Sequence, residues 1–145
     1  MARQVNPSNA VVQSCEQAAA LFGVASYRMN SRTFQVVGAG GRERPMFMGQ
    51  WTDRYGEVHR KGMADLLMTP RIELTGLRWL LDDPNKERIC SVVPLWVECK
   101  FRSGHLEPEQ RLFRDDVLAR EAFYLEIHDG PDALIEWFKS KGVRR

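Results

Sequence analysis

The segment Leu95-Trp96-Val97-Glu98-Cys99-Lys100-Phe101 constrains the fold more than any other. Its apolar and aromatic content predicts a buried strand, running over Val92–Phe101 with Pro94 tolerated near its start. Side chains alternate along a strand, so Glu98 and Lys100 share one face. A buried charge is costly unless it is paired or bound to a metal. A fold that contains this strand must supply partners for an acid and a base set side by side.

The rest of the chain predicts what surrounds that strand. Ser8 or Asn9 can cap a first helix reaching about Phe22, with Gly23 to end it. Val12, Cys15, Ala19 and Phe22 form one apolar stripe, and Glu16 borders it. Glu16 fits an inward-edge carboxylate or a solvated one at the rim. Val24–Val37 predicts one or two strands with a turn near Asn30–Ser31. Gly38–Gly62 has no clear period and predicts loop; Gly38, Gly40 and Gly41 match no phosphate-loop spacing. Leu66–Met68 predicts a short strand with Asp65 at its entrance. A helical turn is expected at Gly76–Leu81 and a tight turn at Asp82-Asp83-Pro84-Asn85.

Pro108 suits the first turn of a helix beginning near Glu107, with Gln110, Phe113 and Val117 facing inward. A strand over Ala122–Ile127 follows. The last helix opens at Gly130-Pro131-Asp132, buries Leu134, Ile135 and Phe138, and stops at Gly142. The order α-β-β-β-α-β-α predicts an α/β fold with a mixed central sheet flanked by helices.

A chain of 145 residues fits one domain, 1–145, large enough to bury a core without staples. Cys15, Cys90 and Cys99 form no C-x-x-C pair, which argues against a disulfide framework and for a reducing compartment. No apolar run is long enough for a bilayer, and MARQVNPSNA has no secretory apolar core, so a cytoplasmic protein with no membrane partner is expected. Residues 28–61 hold seven Arg/Lys against three acids, residues 62–138 nine against fifteen, and the tail from Lys139 four basic residues and no acid. An acidic middle between basic segments suits a metal site among phosphate contacts, but charge alone favours a mixed-charge surface.

Hard divalent cations such as Mg²⁺ take oxygen ligands, commonly one or two carboxylates with water and substrate phosphate. Asp65, Glu98 and the backbone carbonyl of Cys99 can supply such a site, with Lys100 beside it to stabilise charge on a phosphate. A strand-end ion pair of Glu98 with Lys100 or Arg102 accounts for the same residues.

Gly62-Met63-Ala64-Asp65, followed by Glu98-Cys99-Lys100 and Gln110, resembles the PD-(D/E)XK nuclease superfamily. Glu16 and the segment Gly23–Asn30 narrow the resemblance to the virus-type replication–repair nuclease (VRR-NUC) domain, over about residues 10–138. The resemblance implies a restriction-endonuclease-like fold and Mg²⁺- or Mn²⁺-dependent hydrolysis of DNA, often branched (Holliday junction) or flapped, in repair, recombination or phage replication. It implies Asp65 and Glu98 as metal ligands, Lys100 as the catalytic lysine, Glu16 near the metal through water, and Gln110 positioning the nucleophile or a phosphate. A first-turn side chain bonding back to its own helix start accounts for Gln110 as well. The resemblance also implies a homodimer. Ala64 stands where many members carry proline, and the long interval from Asp65 to Glu98 implies an insertion at about 69–90.

Arg28, Asn30 and Arg32 are candidate DNA contacts, because Arg pairs well with phosphate, and Lys61, Arg102 and His105 join them. Tyr27, Trp51 and Tyr55 could stack on unpaired bases or belong to the core. The competing readings are a nuclease fold that binds DNA without cutting it, and a protein-interaction factor.

Overall fold

The computed structural model describes residues 7–29, 33–37, 40–41, 43–47, 49–74 and 89–143. Asn30, Arg32 and Gly38, the turns expected within 75–88, and the basic residues Arg144 and Arg145 lie outside them.

Helix α1 (Pro7–Leu21) buries Val11, Val12, Cys15, Ala18 and Ala19, the expected stripe widened by two small residues. It packs on a four-stranded mixed sheet of β1 (Ser26–Arg28), β6 (Leu66–Met68), β9 (Leu95–Lys100) and β10 (Phe123–His128). β1 runs antiparallel to β6, β6 antiparallel to β9, and β9 parallel to β10. A parallel neighbour requires a crossover. Helix α2 (Pro108–Ala119) provides it, and helix α3 (Asp132–Ser140) follows β10.

The two faces of β9 are buried differently. Leu95, Val97 and Cys99 join Leu66, Met68, Ile127, Leu134 and Phe138 in the main core beneath α1 and α3. Trp96 faces the other way, against a smaller cluster of Trp51, Ala64, Phe113 and Val117 that seats α2. Alternation places Glu98 and Lys100 on that α2 face.

The expected α-β-β-β-α-β-α order is too simple for the whole chain. Six short strands form three two-stranded antiparallel sheets: β2 (Thr33–Val37) with β3 (Glu43–Phe47), β4 (Trp51–Thr52) with β5 (Val58–His59), and β7 (Arg71–Leu74) with β8 (Ile89–Val92). Residues 38–62, expected to be loop, therefore contain strands. The strand expected over Val92–Phe101 is β9, shorter at both ends; Val92 instead closes β8, and Val93 and Pro94 separate the two. Proline cannot donate to a ladder, so the chain changes partners there: β8 pairs with β7, and β9 with β6 and β10. The β7–β8 pair opens and closes the segment expected to be an insertion. No described helix is long and apolar enough to cross a membrane.

Candidate metal centre

The β6–β9 ladder brings Asp65 and Glu98 together across two strands. Asp65 precedes β6, and its Oδ2 accepts the Cys99 N–H at 2.8 Å. A strand residue turns its N–H and C=O toward the same edge. The Cys99 carbonyl therefore faces the side where Asp65 lies.

Glu98 is 1% exposed, the sole charged residue among the buried described ones. Its Oε1 lies 3.0 Å from Lys100 Nζ and accepts from Gln110 Nε2 at 2.5 Å. Gln110 Oε1 accepts from Lys100 Nζ at 2.6 Å and from the Glu107 N–H at 2.9 Å. This fixes the amide orientation: its oxygen meets two donors and its nitrogen meets a carboxylate. Gln110 thus bonds back to its helix start and holds Glu98 and Lys100 with the same amide.

Glu98 Oε2 is buried with no hydrogen-bond partner among the described residues. A carboxylate oxygen in that position costs free energy unless a proton, a water or a cation meets it. Burial, and then the neighbouring Asp65 charge, push the Glu98 carboxyl up to about 7. Burial also raises Asp65, against the Cys99 N–H and Lys100. Two desolvated acids in electrostatic contact, with an orphan oxygen and a backbone carbonyl nearby, form an all-oxygen donor set suited to Mg²⁺ or Mn²⁺.

A glycine explains how α2 reaches this place. Gly62 has φ +87°, and a Cβ there would overlap the Glu109 backbone. The turn before Asp65 and the start of α2 touch only because position 62 lacks a side chain. The G-x-x-D spacing thus has a packing cause, which brings Gln110 over Glu98.

The other candidates divide. Glu16 is joined to Arg28 by bonds of 2.7 and 2.8 Å, which hold its carboxyl below the usual range. Arg28 in turn lies within electrostatic range of Asp65. Arg28, Lys61, Arg102 and His105 are exposed. Trp51 is core: it donates to the Lys61 carbonyl at 2.8 Å and stacks on His59 at 4.3 Å. Tyr27 and Tyr55 are exposed, and Arg54 lies over the Tyr55 ring at 4.9 Å.

A second set, Asp53, Glu57 and His59, could also hold a metal ion, although no His/Cys spacing in the sequence pointed to it. Its signal was D-x-x-x-E-x-H within a segment that read as loop. Asp53 is already engaged: Oδ1 accepts from the Tyr55 and Glu57 N–H groups, and Oδ2 pairs with His59 at 2.9 Å. Those bonds close the β4–β5 turn. No protein-family model, curated protein or solved structure matches this chain.

Proposed function

We propose that the chain is a divalent-metal-dependent DNA endonuclease with a restriction-endonuclease-like core of the VRR-NUC type. The observation that carries this reading is the buried Glu98, whose Oε2 is unpartnered while Lys100 and Gln110 hold its Oε1. The topology supports it: with the three two-stranded sheets set aside as insertions, the order is α1, β1, β6, β9, α2, β10, α3.

Asp65, Glu98 and the Cys99 carbonyl would hold Mg²⁺ or Mn²⁺, with Glu16 outside them. The metal would supply Lewis acidity toward a phosphodiester and a bound water nucleophile at neutral pH. Lys100 has three N–H donors; Glu98 and Gln110 engage two, which leaves one for a phosphate oxygen or the attacking water. Gln110 keeps that ammonium in place, so its positive charge is already set where negative charge develops. The Trp51, Phe113 and Trp96 cluster behind α2 fixes the helix that carries Gln110.

The substrate is the one the sequence resemblance implies, DNA, branched or flapped, cut by a homodimer in repair, recombination or phage replication; the basic segments are compatible with it. The test is cleavage of labelled four-way junction, flap, single-stranded and duplex DNA with Mg²⁺, Mn²⁺ or EDTA, beside Lys100→Ala. Metal-dependent cutting, reduced at least about a hundredfold in the variant, is the expected result. Tight DNA binding with no cutting under either metal would replace the nuclease with a binding module.

A further inference from the structure

The far ends of β9 and β10 are tied together by hydrogen bonds that the proposed chemistry leaves unused. Arg102 lies two residues beyond Lys100 and holds φ +53°, a left-handed backbone uncommon for a residue with a side chain. Such a conformation persists where its surroundings over-determine it. Here they do: the Arg102 N–H donates to Asp129 Oδ1, and the Arg102 carbonyl accepts from His128 Nδ1 at 2.8 Å. Asp129 is itself left-handed, and its N–H donates to the Lys100 carbonyl at 3.1 Å.

His128 has an acceptor at each ring nitrogen. Nδ1 meets the Arg102 carbonyl, and Nε2 meets Glu126 Oε1 at 2.8 Å. A carbonyl and an ionised carboxylate only accept, so the two bonds form together only when both nitrogens carry protons, as in the imidazolium. The charges around it are Glu126 on its own strand, Asp129 in the following turn, Lys100 as its register partner on β9, and Arg102. The Arg102 carbonyl first, then Glu126, raise the His128 pKa. A neutral ring can donate only once, so deprotonation costs one of the two bonds.

The grip on Arg102 has a consequence for its side chain. The guanidinium lies over the Phe101 ring at 5.0 Å, and no described carboxylate pairs with it. Arg102 stands two residues after Lys100, in the turn that leaves the C-terminal end of β9, so the two cations belong to the same end of that strand. We propose that His128 is a positioning residue whose bond to the Arg102 carbonyl sets Arg102 to bind a DNA phosphate near the one being cut. This rests on the nuclease reading and adds a pH-sensitive phosphate contact to it.

The test is affinity for a four-way junction in EDTA at fixed salt, from pH 6 to 8.5, for wild type, His128→Gln and Arg102→Ala. Wild-type affinity should fall about threefold as pH rises, and His128→Gln should bind weakly throughout with that part of the pH dependence gone. Arg102→Ala should bind about tenfold more weakly, the scale of one charge-assisted hydrogen bond. Its salt slope should be shallower by about one unit. NMR of the His128 ring should follow the same pH midpoint. Unchanged binding in Arg102→Ala, or identical pH profiles for wild type and His128→Gln, would overturn the proposal while metal-dependent cleavage stood. Absence of DNA binding at low salt would overturn both.

Discussion

Glu98 reaches its position through strand alternation, and three neighbours then determine its charge. Lys100 and Gln110 hold Oε1, while burial and Asp65 work against ionisation. A carboxyl raised from its ordinary value to about 7 binds more protons folded than unfolded between those two values. Stability of the metal-free protein should therefore fall as pH rises from about 4.5 to about 7, by roughly 3 kcal/mol from this group alone. Asp65, also raised, adds to the fall in the same direction. Urea unfolding in EDTA at pH 5 and pH 8 measures it, and Glu98→Gln should flatten the profile. Gln110→Ala leaves Lys100 and Glu98 without their common partner. It should lower single-turnover cleavage about 10- to 100-fold, with DNA affinity nearly unchanged. Unaltered cleavage would confine Gln110 to capping its helix.

Elements bring these residues together, and the closest constraint is the contact of the Gly62 turn with the start of α2. Gly62→Ala must move the Glu109 backbone and strain a left-handed turn. The expected cost is at least about 2 kcal/mol in urea unfolding, together with slower cleavage because Gln110 moves with the helix. At this scale the sequence was legible where local signals and burial agreed. Pro108 and Gln110 marked the start of α2, and Leu66–Met68 and Leu95–Lys100 were apolar enough to read as strands. It was illegible where strands are short. β4 and β5 have two residues each, too few for alternation to show, and Trp51 is buried by stacking and a hydrogen bond rather than by period. The break at Val93-Pro94 was hidden because β8 and β9 are consecutive in sequence and part only in their pairing. The His128 clasp was illegible for another reason: it depends on a β9–β10 register that no local pattern encodes.

For the whole molecule, stability should depend on a divalent ion. A ligand that binds only the folded state stabilises by mass action, about 2.7 kcal/mol at a hundred times its dissociation constant. Mn²⁺ should therefore raise the melting temperature at pH 8, where Glu98 and Asp65 set two desolvated negative charges beside each other, and less at pH 5, where protons compete. The charge pattern along the sequence is compatible with this: acids outnumber bases in the middle stretch that contains Asp65 and Glu98, and basic segments flank it. The decisive measurement is calorimetric titration of Mn²⁺ into wild type, Glu98→Gln and His59→Ala at pH 7.5. Saturable binding is expected for wild type and for His59→Ala, and its loss in Glu98→Gln. Binding that survives in Glu98→Gln and vanishes in His59→Ala would move the metal to the Asp53, Glu57 and His59 turn and leave Glu98 without a metal role.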